Sequence, residues 1–127
     1  DGVYGADKWR LMRAASVFVL PTEWESFGIV VGEALASGVP VITTTQTPWR
    51  ALPEQGAGWC IEPRDDALDR ALREATSMSE THLRAMGESG RAWMQRDFGW
   101  SGVADRMTML YAWLIGRADR PAFVRSR

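Results

Sequence analysis

The chain has 127 residues, 46% of them apolar and 24% charged, with a net charge of −1. That size suits one domain, or part of one, with a real core, and the near-neutral charge argues against a chain-wide electrostatic grip on nucleic acid. One cysteine, Cys60, excludes an intramolecular disulfide and any multi-cysteine metal site, and one histidine, His82, excludes histidine clusters and most Ser-His-Asp schemes.

In chain order, Asp7 caps a short helix through Ala15, with Leu11, Met12 and Ala15 on one side. "SVFVL" is a continuous apolar run stopped by Pro21, the pattern of a parallel strand covered on both faces. "FGIVVGEALAS" reads as a helix closed by Gly38, with Pro40 just beyond. "PVITT" is a second buried strand, "TQTPWRALPEQGAG" a long loop with at most one helical turn, and "GWCIE" a third strand ended by Pro63. Cys60 in that strand is expected to be a buried, inert thiol. Three helices follow. The first, "DDALDRALREATS", repeats apolar residues at 67, 68, 71, 72 and 75. The second, about 79 to 97, stripes Leu83, Met86, Trp93 and Met94, with His82 facing solvent. The third, about 101 to 115, stripes Val103, Met107, Leu110, Tyr111 and Leu114. The tail, 117–127, has no period and is expected to be loose.

Alternating strands and helices predict an α/β fold with a parallel sheet. Three strands are fewer than a doubly wound nucleotide domain needs, so the chain reads as the second half of such a sheet followed by C-terminal helices. The opening "DGVYGADKWR" also reads as the interior of something longer. No run reaches the length of a membrane span and no signal peptide is visible, which points to the cytosol. Fourteen of the fifteen basic residues are arginine, a bias better read as genome composition than as anion binding.

Residues 20 to 44, "LPTEWESFGIVVGEALASGVPVITT", hold the chemistry. Ligands of open parallel sheets sit beyond the carboxyl ends of the strands, where the loop after "SVFVL" lies. Gly28 opens the next helix, so amides of Phe27, Gly28 and Ile29 can face an anion, aided by the helix dipole. Glu33 shares a helical stripe with Ile29, Gly32 and Ala36 that is otherwise apolar or small. A carboxylate there needs donors, and sugar hydroxyls would supply them. Eight residues of helix span about 12 Å, enough to set one acid at each end of a diphosphate-linked compound. The bland alternative makes Glu25 an exposed loop acid and Glu33 a solvated helix residue.

This stretch resembles the donor-site signature of retaining glycosyltransferases of the GT-B fold, family four. That pattern is Pro-Ser, then Glu, one residue, Phe-Gly and a second Glu completing E-x7-E, followed by Ala-x-Ala-x-Gly-x-Pro-Val-Ile. Thr22 stands here for the usual Ser. "TPWRALPEQGAGWCIE" is similar to the form in bacterial lipopolysaccharide-type members, and "FGWSGVADRMTMLYAWL" to the family's closing helix. The resemblance implies that residues 1–116 are part of a C-terminal donor-binding domain, with the acceptor domain absent. It implies that Glu25 acts at the reacting end of the donor sugar, as the catalytic residue. Ser26, Phe27, Gly28 and Ile29 would line the donor, and Glu33 would hold the ribose hydroxyls. The family's Arg and Lys on the diphosphate come from an earlier strand and have no counterpart here, because Lys8 and Arg10 precede the wrong strand.

The implied partners are a nucleotide-sugar donor and a saccharide or lipid-linked acceptor, with peripheral membrane association open for the full protein. No cofactor or metal is expected, since no Asp-x-Asp pair is present to hold a cation at the diphosphate. Two other readings stay open: a non-catalytic nucleotide-sugar binding module, and, more weakly, a GT-B epimerase, which would lack the Phe-Gly signature. Trp49 could stack on a sugar or pack in the core. Trp93 and Trp100 occupy core-like positions. Some of Thr43 to Thr47 could touch phosphate, and Arg64, Arg70, Arg73 and Arg84 lie on polar helix faces.

Overall fold

The computed structural model describes residues 2–125, in a first unit reaching to Met94 and a second beginning at Gln95. Its elements are α1 (Gly5–Ala14), β1 (Phe18–Leu20), α2 (Ile29–Ala36), β2 (Val41–Thr44), β3 (Gly58–Ile61), α3 (Asp65–Ser77), α4 (Glu80–Phe98) and α5 (Trp100–Leu114). The three strands form one parallel sheet in the order β1-β2-β3, with Val19 opposite Ile42 and Ile42 opposite Trp59. This is the expected α/β arrangement. Between β2 and β3 the chain makes turns rather than an α-helix, closed by Leu52 N–H to the Trp49 carbonyl at 3.1 Å and Ala57 N–H to the Leu52 carbonyl at 3.0 Å.

The apolar runs of the strands follow from cover on both faces. On one face Val31, Ala34 and Leu35 of α2 and Trp93 and Met94 of α4 pack with Val41, Trp49 and Leu52. On the other, Ala71 and Ala75 of α3 close over Ile42, with Val19, Trp59 and Ile61 alongside. Leu35, Ile42, Leu52, Val31 and Val41 are fully buried. Each such side chain contributes roughly 1.5–3 kcal/mol of hydrophobic stabilisation.

Helix α2 stops where the sequence says it should. Gly38 takes φ +79°, its N–H donates to the Leu35 carbonyl, and Val39 N–H reaches back to the Ala34 carbonyl. This pair of bonds satisfies two carbonyls at the helix end and needs the left-handed backbone that glycine adopts at little cost. Arg91 of α4 adds a third partner, its Nη2 donating to the Ser37 carbonyl at 2.9 Å. Contact between α4 and this turn is close because Gly87 has no side chain: a Cβ there would lie 1.9 Å from the Gly38 carbonyl oxygen. Since backbone rather than a flexible side chain is in the way, Gly87→Ala should destabilise the chain by about 2–3 kcal/mol, seen as a lower urea midpoint with an unchanged slope. An unchanged midpoint would mean that α4 does not pack here.

Several sequence expectations need correction. Helix α1 begins at Gly5 after Tyr4, so Asp7 is a first-turn acid paired with Arg10 at 3.3 Å and not the cap. Of Leu11, Met12 and Ala15 only Met12 is buried. Leu11 and Met12 point about 100° apart around the helix, and Ala15 lies past its end in extended backbone. Trp100 is 88% exposed rather than core. A helical side chain covers the turn N-terminal to its own Cα, and at the first position of α5 there is no such turn. The stripe on α5 exists, but the helix has no buried residue, and Met107, Tyr111 and Leu114 are exposed.

Other expectations hold. Ala67, Ala71 and Ala75 carry the buried face of α3, Trp93 is buried, and His82 is exposed. Arg70, Arg73 and Arg84 sit in exposed ion pairs with Asp66, Asp69 and Glu80, four residues before each. Cys60 departs from the expectation of a buried thiol, being only partly buried at the sheet's third strand; burial raises its thiol pKa most, with Arg50 opposing and Glu62 adding to the rise. In the tail, Val124 N–H donates to the Pro121 carbonyl and Arg120 to the Val124 carbonyl, while residues 126 and 127 lie outside those described. Among the described residues, no helix is long and apolar enough to cross a membrane.

Candidate functional site

The site begins where β1 ends. Pro21 has no N–H to continue the ladder, and Thr22 organises the exit: its Oγ1 donates to the Trp24 carbonyl at 2.8 Å and accepts from Trp24 N–H at 3.3 Å. Two buried threonines at the end of β2 tie this loop down. Thr43 Oγ1 donates to the Leu20 carbonyl at 2.9 Å, and Thr44 Oγ1 to the Thr22 carbonyl at 2.5 Å. Thr47 Oγ1 donates to the Thr44 carbonyl and Thr45 Oγ1 to Glu62. A hydroxyl has one proton to give, so these four have none left for a phosphate in this arrangement. The threonines build the rim instead of binding across it.

On that rim the predicted residues come together. Glu25 is half-buried and folded back against the start of α2, its Cγ 3.2 Å from where a Gly28 Cβ would be. Ser26 is exposed, with its hydroxyl 3.5 Å from Glu25 Oε1. Gly28 is the N-cap of α2 at φ +70°, ψ +57°, and its carbonyl accepts from Val31 N–H at 2.9 Å. A side chain there would be strained and would meet Glu25 on one side and the Trp49 indole, 3.3 Å away, on the other. The glycine is therefore required by packing beneath the turn. The first turn of any helix leaves N–H groups without intrahelical partners, and α2 presents them at this edge of the sheet. Ile29, one position on, is mostly exposed.

Trp49 is the organising residue that the sequence left undecided. It is 3% exposed, so it packs and does not stack on a ligand. Its Nε1–H donates to the Phe27 carbonyl at 2.6 Å, its ring tilts against Phe27 at 5.4 Å, and Trp93 meets it edge-on at 5.6 Å. A Cβ on Gly32 would lie 3.4 Å from the ring. Glycines at 28 and 32, one helical turn apart, leave the groove that the indole fills; that spacing was the available signal. For Thr43 and Thr44 the signal was two hydroxyl residues closing a buried strand, which need acceptors nearby.

Glu33 sits differently from its prediction. Its stripe is the outer face of α2, with Ile29 and Ala36 exposed, so the small and apolar neighbours do not make a buried apolar wall. The carboxylate is still largely sheltered, at 24% side-chain exposure, and it already has one donor: Lys8 Nζ lies 2.5 Å from Oε1. Lys8 was set aside from the sequence because it precedes the wrong strand. The fold brings it to the site by another route, across from α1. Among the described residues, no three His, Cys, Asp or Glu side chains converge as a metal site.

A profile of the family described as Glycosyl transferases group 1 matches residues 2–93. The chain belongs to this family. It is 36% identical over 98 residues to a D-inositol 3-phosphate glycosyltransferase of Frankia alni, covering 72% of this chain and 23% of the relative. It is 33% identical over 125 residues to a GDP-mannose:cellobiosyl-diphosphopolyprenol alpha-mannosyltransferase of Komagataeibacter xylinus, covering 93% of this chain and 30% of the relative. Among solved structures, a sucrose-phosphate synthase from Thermosynechococcus elongatus superposes with a TM-score of 0.71 at 32% identity, over 85% of this chain and 27% of that one. The chain thus spans about a quarter of the length of these glycosyltransferases. Its parallel sheet with helices on both faces is the GT-B-type α/β fold expected from the sequence.

Proposed function

We propose that the whole protein transfers a sugar, with retention of configuration, from a nucleoside-diphosphate sugar to a saccharide or lipid-linked acceptor, and that this chain builds part of the donor site. One observation carries the reading: a glycine-led helix start at the carboxyl edge of a parallel sheet, with Glu25 folded against it and Glu33 one face along. Backbone amides at residues 27 to 29 suit the phosphates and sugar hydroxyls. Ser26 adds an exposed hydroxyl beside Glu25. Glu33 suits the ribose diol, and Glu25 the sugar near the carbon that loses the diphosphate. The polyprenol-linked acceptor in the name of the Komagataeibacter relative favours a lipid-linked acceptor, a cell-surface glycan product, which lipopolysaccharide would exemplify, and cytoplasmic action at the membrane surface.

Removing Glu33 tests the ribose assignment. Charge-assisted hydrogen bonds to a diol are worth roughly 1.5–3 kcal/mol, so Glu33→Ala in the whole protein should weaken donor binding about ten- to a hundredfold. Part of this would appear in kcat, because remote binding energy also positions the sugar. Unchanged donor affinity would move the ribose elsewhere.

We expect turnover without an added divalent cation. Helix amides and basic side chains of the whole protein would take the phosphate charge in the cation's place. Activity should persist in excess EDTA; loss restored by magnesium or manganese would contradict this.

A further inference from the structure

The sole lysine of an arginine-rich chain is the residue that meets Glu33. Lys8 and Glu33 are 25 positions apart, on α1 and α2, and both are part-buried, with side-chain exposures of 32% and 24%. Each helix also buries apolar side chains of its own, Met12 on α1 and Val31, Ala34 and Leu35 on α2. The Lys8 ammonium is further steadied over the Trp9 ring, 4.6 Å from its centroid.

We propose that Lys8 is a positioning residue for the donor nucleotide: it fixes the Glu33 carboxylate through Oε1 and leaves Oε2 open for a ribose diol. This inference rests on the ribose assignment of Glu33. A carboxylate has about four lone-pair directions on two oxygens, and a single ammonium contact occupies only one side of it. An arginine in the same place would present a planar fork that engages both oxygens together and would compete with the diol. Lysine, a compact point charge, holds without covering. It also neutralises a sheltered carboxylate, so that binding the ribose need not strip water from a bare charge.

The test is calorimetric titration of the whole protein with UDP, GDP and ADP, followed by the 2′,3′-dideoxy form of whichever binds tightest. Wild type should prefer the ribonucleotide. Lys8→Met should weaken the ribonucleotide by about tenfold, part of the worth of the charged hydrogen bonds, and leave the dideoxy form within about twofold. Lys8→Arg keeps the cation and the ion pair and should still weaken the ribonucleotide selectively. A merely structural pair would behave otherwise: Lys8→Met would weaken both ligands alike or neither, and Lys8→Arg would bind as wild type. Any of those results overturns the inference, as does tighter ribonucleotide binding by Lys8→Met, which would make Lys8 a competitor. If wild type binds both forms equally, or none of the three diphosphates, the ribose assignment of Glu33 itself fails. Unchanged dideoxy binding by Lys8→Met shows in the same experiment that the variant is folded.

Discussion

Glu25→Ala in the whole protein should lower kcat by about a hundred- to a thousandfold with a much smaller change in KM, the scale seen when one preorganised electrostatic group is lost. Positive charge develops on the sugar as the diphosphate departs, and a fixed carboxylate close to it stabilises that state more than the ground state. Such an interaction appears in kcat. The geometry supplies the fixing. Thr22, Thr43 and Thr44 hold the loop before Glu25, and Gly28 lets its side chain fold against the helix start. Glu25→Gln keeps size and one acceptor but removes the charge, so it should lose most of the same rate. Near-normal kcat in Glu25→Gln would reduce Glu25 to a sugar-binding residue. Normal binding and turnover in Glu25→Ala would favour the non-catalytic binding module.

Trp49→Ala should cost the chain about 3–5 kcal/mol, the range for deleting a buried aromatic side chain, and lower its urea midpoint accordingly. The indole fills the groove over Gly32, packs on Trp93, and belongs to the main apolar cluster. Trp49→Phe separates packing from the hydrogen bond. It keeps a ring in the groove but abandons the Phe27 carbonyl, at a cost of about 1 kcal/mol in stability plus any loss from the smaller ring. Because that carbonyl belongs to the loop proposed to bind the donor, Trp49→Phe should also weaken donor binding in the whole protein, to a degree that the stability change alone does not explain. Equal stability of wild type and Trp49→Ala would contradict the packing seen around the ring.

The sheet was legible because its strands are short continuous apolar runs punctuated by Pro21, Gly38 and Pro63, and those signals are local. The same holds for α3, whose buried positions repeat at helical spacing. The rim of the site was legible as a set of residues but not as a mechanism of support. Trp49 and Phe27 are 22 positions apart, and Lys8 and Glu33 are 25 apart, so neither pairing leaves a periodic trace. Trp100 and the α5 stripe misled for a different reason. Apolar spacing says that a face can be buried; whether a second layer lies within the same unit is a matter of tertiary structure. Gly87 was invisible in the stripe of α4 because patterns of large apolar residues do not register a glycine chosen for close approach.

The most direct test of the donor-site claim is a crystal structure of the whole protein with a bound nucleoside-diphosphate sugar. Ribose hydroxyls should lie within about 2.5–3.2 Å of the Glu33 carboxylate, with Lys8 still on its other oxygen. Phosphate or sugar oxygens should sit on the amides of residues 27 to 29, and Glu25 against the sugar. A nucleotide seated elsewhere, touching neither the amides of residues 27 to 29 nor the Glu33 carboxylate, would contradict that claim.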